Sequence, residues 1–191
     1  MSRSVPVLAT GMLCLLLAGC AGSPPTTYDI VAARSFAASP KSAKYQLVVS
    51  EPVAVQQLDT NRIMVKPSAD KVSYYKGVAW SDRLPRLVQA RMVETIQNSG
   101  AVKAVGTTNG DYTLATELRS FQIDVSGGRA AAEVELFAKL VNNNSGKVVA
   151  SKGFSTRVAS NSDEPSQAVA TLNQAFTEVM QDISTWVAAH R

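Results

Sequence analysis

A chain of 191 residues, 46% of them hydrophobic and 18% charged, is long enough to bury one sizeable core and too apolar to remain a disordered polymer. Its 19 basic and 15 acidic residues leave a formal charge of +4 spread along the sequence, which excludes the concentrated basic footprint of a nucleic-acid-binding domain. One histidine, His190 beside the C-terminus, and two cysteines, Cys14 and Cys20, leave no material for a histidine base, an imidazole metal cluster, a serine triad or a disulfide framework.

The chain opens on one basic residue, Arg3, followed by the mostly apolar run Val5 to Leu17. About 13 residues are too few to cross a hydrocarbon core, which needs ~20 helical ones, so the run reads as the h-region of a secretory signal. Leu17-Ala18-Gly19-Cys20 resembles the bacterial lipobox, with small residues ahead of the cysteine. The sequence therefore predicts a signal peptide over 1–19 and acylation of Cys20 as the first residue of the mature protein. Cys14 falls in the removed segment, so Cys20 has no thiol to pair with. Each buried methylene contributes about 0.8 kcal/mol, and two chains give a stable anchor. Ala21 replaces the aspartate that resembles an inner-membrane retention signal, so the predicted site is the outer membrane, periplasmic face.

From Ala21 to Ala43 the sequence is small and polar, with Pro24-Pro25, Thr26-Thr27 and Ser39-Pro40, and residues 20–43 read as a lipidated flexible tether. As a coil it reaches roughly 25 Å r.m.s., enough to hold the domain clear of a bilayer. Tyr28, Ile30, Val31 and Phe36 are large enough to dock part of it. A single domain is expected over 44–191. Tyr45 to Val49, Arg62 to Lys66 and Val72 to Tyr75 are short β-branched-rich runs bounded by Pro52 and Pro67, which predicts strands. Ser81-Asp82 then offers an N-cap to a helix whose Leu84, Leu87, Val88, Met92, Val93 and Ile96 share a broad apolar face until Gly100.

Three extended segments follow, over 112–125, 130–141 and 148–158. In the middle one Ala132, Val134, Leu136, Ala138 and Leu140 alternate with Glu133, Glu135 and Lys139, so one face packs inward, and Phe137 interrupts the polar face. In the first, Leu114 and Leu118 share one parity while Phe121, Ile123 and Val125 share the other, which predicts a β-bulge near Ser120. Gly127-Gly128 and Asn142 to Gly146 have hairpin-turn composition, so the three strands form an antiparallel meander. Val169, Leu172, Phe176, Val179, Ile183 and Trp186 then recur at helical spacing, with Asp163 and Pro165 at the start, predicting a closing helix of about 25 residues whose stripe covers the sheet. The fold class is α+β, an antiparallel or mixed sheet packed by two main helices.

Catalytic chemistry finds no constellation. Glu133 and Glu135 read as solvated charges rather than an acid/base pair, Gly127-Gly128 lacks the helix and lysine of a phosphate loop, and Asn143-Asn144-Ser145 reads as a turn rather than a glycosylation site. No enzyme activity, metal or cofactor is expected, and no nucleic acid.

The stretch Tyr74-Tyr75-Lys76-Gly77-Val78-Ala79-Trp80-Ser81-Asp82-Arg83-Leu84-Pro85 runs into Leu87-Val88-Gln89 and closes on Gly100. With the lipobox, Tyr45-Gln46-Leu47, Arg62-Ile63-Met64-Val65 and Trp186-Val187 in the same order, it resembles the ABC-type transport auxiliary lipoprotein family over essentially the whole mature domain. The resemblance implies a non-catalytic accessory of an MCE-type ABC transport system that moves lipids or other hydrophobic molecules between membranes. It further implies an MCE-domain protein as partner, a possible homo-oligomer, and a fold similar to the N-terminal domain of TolB. The family supplies no catalytic residues. Beside Cys20, the candidate partner-binding residues are Tyr74, Tyr75 and Trp80, large aromatics in a turn-rich stretch, with the alternative that Trp80 anchors the helix into the core. Two other functions are open to this sequence: a lipid carrier with an apolar pocket between helix and sheet, and an envelope-assembly lipoprotein unconnected with transport.

Overall fold

The computed structural model describes residues 23–36, 43–104, 106 and 109–190; the signal segment and Cys20 lie outside them. In chain order the elements are β1 (Thr26–Tyr28), β2 (Gln46–Val49), β3 (Val53–Ala54), β4 (Met64–Ser68), β5 (Lys71–Tyr74), β6 (Val78–Trp80), α1 (Leu84–Ser99), β7 (Lys103–Ala104), β8 (Tyr112–Asp124), β9 (Ala131–Asn142), β10 (Val148–Ala159) and α2 (Pro165–Ala189). All but β1 and β6 among the strands share one eight-stranded mixed sheet.

β8 is its spine. One edge carries the antiparallel meander β8-β9-β10, as the alternation of the sequence requires. The other edge receives β2, β3 and β4 one after another, all parallel to it, at 112–114, 117–118 and 122–124. This second side is a single broken strand: Pro52 lacks the N–H a ladder needs, and the chain leaves β8 there and again at 55–63 before returning. β4 runs on through Pro67, which the sequence placed outside the strand. It does so where the β4–β5 register shifts between Val65 and Ser68, so the missing donor falls at an irregularity.

The bulge sits where the parity change placed it, with a register shift between Leu118 and Ser120. It lets Leu114 and Leu118 on one side of it and Phe121 and Ile123 on the other all reach the same buried layer. Both helices cover that layer. Leu84, Val88, Met92 and Ile96 of α1 and Leu172, Phe176, Val179 and Ile183 of α2 are buried in one cluster with the sheet, while Trp186 is half-buried with its ring edge on Phe154 at 5.6 Å.

The helix start differs from the sequence expectation. Ser81 and Asp82 do not cap α1. Arg83 holds the N-cap position without a side-chain cap, and the N–H of Leu84 is instead bound by the Thr60 carbonyl at 3.0 Å. Asp82 accepts from the Arg83 N–H and pairs with Arg86 one turn on, so its carboxylate still lies at the positive end of the helix. The other end is as expected: Gly100 takes the left-handed conformation at φ 65° and closes the helix by donating to the Gln97 carbonyl.

The flexible tether is corrected over its middle. Thr26–Tyr28 forms a parallel pair with Val78–Trp80, and residues 29–35 lie as an extended strap between α1 and α2. Extended backbone in a groove has no partners of its own and must borrow them. Arg91, Thr95 and Asn98, spaced four and three along α1, bind the Ile30 carbonyl (2.8 Å), the Ala33 N–H (3.0 Å) and the Ala33 carbonyl (3.1 Å). From α2, Asn173 accepts from the Val31 N–H and Gln181 donates to the Ser35 carbonyl. Ile30, Ala32 and Ala33 are buried beneath these bonds.

A tyrosine ties one end of the layers together. Tyr45 donates to the carbonyl of Val187 at the end of α2, and its ring meets Tyr112 edge-on at 4.9 Å. Burial pushes its phenol up to about 12, the Tyr112 phenol adding to the rise. Burial also pushes Tyr75 up to about 12, with the Asp163 and Glu164 carboxylates adding to it. A folded value above the ordinary 10 means the native state holds these protons longer than the unfolded chain. Their contribution is complete below pH 10 and is lost as pH rises toward 12. Urea midpoints measured across that window are expected to fall, and Tyr45→Phe to fall less steeply than the parent; identical slopes would exclude Tyr45 as a source.

Candidate interaction surface

The face of the sheet turned away from the helices is built by the same alternation that makes the core. Leu118 and Leu136 point inward, so their neighbours Glu117 and Phe137 point outward, and register lines them up with Val53 on β3 and Gly153 on β10. A second row crosses β5, β4, β8, β9 and β10 as Tyr74, Met64, Gln122, Glu133 and Arg157.

Phe137, flagged by the sequence as an interruption of a polar face, is half-buried at the centre. Its ring lies directly across from Gly153, where a Cβ would meet Phe137 Cδ2 at 3.8 Å, ordinary van der Waals contact. Arg119 is the bulge residue, and the bulge turns its guanidinium over the Phe137 ring at 4.3 Å. Around this aromatic the charges interlock. Lys139 and Arg119 both hold Glu117, at 2.6 and 3.0 Å, and Arg119 also reaches Glu135. Arg157 joins Asp124 to Glu133, and Gln122 donates to Glu133. Hydrogen bonds from Lys139 and then Arg119 hold the Glu117 carboxyl below its ordinary range, and those from Ser126, with Arg157 beside them, do the same for Asp124. Exposed pairs of this kind contribute little to stability, about 0–1 kcal/mol each, and their effect is to fix the pattern of charge on this face.

At the β3–β5 side the face becomes apolar. Val53 and Val55 are 72% and 58% exposed, and Val72, two residues before Tyr74 and so on its face, is 46% exposed. Tyr74 donates to the Gln57 carbonyl at 3.0 Å, and Arg62 lies over its ring at 3.8 Å. The two line an open recess of about 380 Å³ with Gln56, Gln57, Asp59 and Thr60. Arg83 secures this loop to the start of α1 by pairing with Asp59 and Glu51.

The three aromatic candidates therefore part company. Tyr74 is on this surface. Tyr75, next along the chain, takes the opposite face beside the start of α2, its hydroxyl buried without a partner. Trp80 is 1% exposed and stacks edge-on to Phe121 at 5.7 Å, so it is a core residue and not a contact for a partner. Phe137 was legible in the sequence; Arg119, Arg62, Val53 and Val55 were not, since a bulge and an irregular loop place them. Among the described residues no group of three or more His, Cys, Asp or Glu side chains is placed to share a metal ion, and no helix is long and apolar enough to cross a membrane.

Residues 28–184 match the family described as the ABC-type transport auxiliary lipoprotein component. The chain belongs to this family. The auxiliary-lipoprotein match runs from the first strand through nearly all of the closing helix, so it covers the strap as well as the sheet. The crystal structure of protein XCC0632 from Xanthomonas campestris is similar at a TM-score of 0.82 and 28% identity, over 86% of this chain and 95% of that one. A second crystal structure, of an uncharacterized protein, shares the fold at a TM-score of 0.69 and 15% identity, over 86% and 99% of the two chains. The uncharacterized protein bll6063 of Bradyrhizobium diazoefficiens is 32% identical over 188 residues, 93% of this auxiliary lipoprotein; the chain spans 50% of that relative's length.

Proposed function

We propose that the protein is a non-catalytic component of an MCE-type ABC transport system, anchored by acylated Cys20 to the periplasmic face of the outer membrane, and that it fixes one end of a periplasm-spanning assembly for lipids or other hydrophobic molecules. The observation that carries this is the family match over 28–184, joined to a domain whose distinctive surface is shaped for protein contact. Val53, Phe137 and Tyr74 are interleaved with ordered charge, Glu117 standing between Val53 and Phe137 in one row, a mixed face of the kind a protein partner reads by shape and charge together. The MCE-domain protein is the partner assigned to it. A carrier role draws no comparable support, because Trp80, Phe121 and Phe176 pack the space between helices and sheet where a lipid would sit.

The test is a photocrosslinking amino acid placed at Phe137 or Tyr74, and at Gln174 on the exposed side of α2 as control, in intact envelopes. The MCE-domain protein is expected from the first two positions and not from the third. Recovery of no MCE-domain protein from any position, or equal yield from all three, overturns the assignment. Absence of permease, ATPase and MCE genes beside this one favours an envelope-assembly role instead.

A further inference from the structure

We infer that the end of the domain bearing the N-termini of both helices lies against the bilayer. The inference rests on the acylation of Cys20 proposed above and on where the chain first becomes part of the fold. Thr26 is already fixed: its N–H donates to the Gly77 carbonyl at 2.9 Å, and it pairs with Val78. Only Ala21 to Pro25 separate it from Cys20, a covalent reach of at most about 20 Å.

The place of Thr26 follows from the strap. Ile30 is bound by Arg91, Ala33 by Thr95 and Asn98, and Ser35 by Gln181, so the strap runs in the same direction as both helices and enters at their N-terminal ends. Those ends lie with the C-terminal end of β8. Tyr75, two residues before Gly77, feels Asp163 and Glu164 at the start of α2, and Asp163 lines a recess with Val125 and Arg129 at the β8–β9 turn. The opposite end carries the β9–β10 turn at Asn142 to Gly146, about 40 Å away along the 13 residues of β8.

Charge does not set this orientation. Lys66, Lys71, Lys76 and Arg129 stand at the membrane end without ion-pair partners among the described residues, but Asp70, Asp163 and Glu164 nearly balance them. The short link does, and neutral lipid suffices.

The experiment uses the full acylated protein in phosphatidylcholine nanodiscs carrying gadolinium-chelate headgroups, with a fluorine tag on Arg129→Cys or on Asn144→Cys. The tag at 129 is expected to relax at least about tenfold faster than that at 144, given ends about 40 Å apart. Inserting about twenty Gly/Ser residues after Gly22, which adds roughly 25 Å of r.m.s. reach, is expected to bring the two rates together. Equal rates without the insertion, or faster relaxation at 144, overturn the orientation while leaving the anchor standing. A mass spectrum showing unmodified Cys20 overturns the anchor and the orientation together.

Discussion

Trp80→Ala is expected to destabilise the domain by about 3–5 kcal/mol, the range for emptying a large aromatic site in a core. Trp80 is the first of three rings that cross the interior, meeting Phe121 at 5.7 Å, which meets Phe176 at 5.9 Å, so its loss removes the aromatic contact between β6 and β8 and opens a cavity beside the Phe121–Phe176 pair. Edge-to-face pairing is worth about 0.5–1.5 kcal/mol beyond burial, which places the cost toward the upper part of the range. Urea unfolding followed by fluorescence and circular dichroism measures it, with a lower midpoint and an unchanged slope expected. Tyr74→Ala is the companion variant. Its ring is half-exposed beneath Arg62, so its loss is expected to cost about 1 kcal/mol or less and to act on partner capture instead. A Trp80→Ala protein of parental stability that failed to capture its partner would return Trp80 to the surface role its sequence position first suggested.

Removing the strap is expected to have an effect of similar size. A chain beginning at Lys44, where the domain starts by sequence, lacks Ile30, Ala32 and Ala33 and leaves Thr95, fully buried, without the N–H it accepts from. Burial of a side chain such as Ile30 contributes roughly 1.5–3 kcal/mol and each lost hydrogen bond about 1 kcal/mol, so the deficit relative to a chain beginning at Ser23 is on the order of 5 kcal/mol. Equal urea midpoints for the two chains would show that residues 26–35 are an ornament and not part of the fold.

What could be read in advance followed the length and period of each element. The meander was legible because Ala132 to Leu140 alternate, with Phe137 the one exception on the polar side, and short polar turns limit the register. The bulge was legible because a parity change admits few other causes. The broad face of α2 left no ambiguity over its six spaced apolar residues. β1, β3, β6 and β7 are two or three residues long, too short for any period, and exist because another strand offers each a partner: β1 and β6 pair with each other, β3 with β8 and β7 with β2. The strap was illegible for a related reason. Its small residues resemble a linker, and the groups that hold it belong to helices more than sixty residues away. The candidate surface was half legible. Phe137 violated an alternation and so announced itself, whereas Arg119 reaches the same ring only through the bulge geometry.

The strap also fixes an order of events. Its partners Asn173 and Gln181 are 142 and 146 residues downstream of the residues they bind, so the groove does not exist until the closing helix has been made and has packed. The strap is therefore secured only after the far end of the domain is in place. Until then the strap lacks the partners α2 supplies, and closure over so long a loop comes late because its entropy is recovered only when both helices are in place.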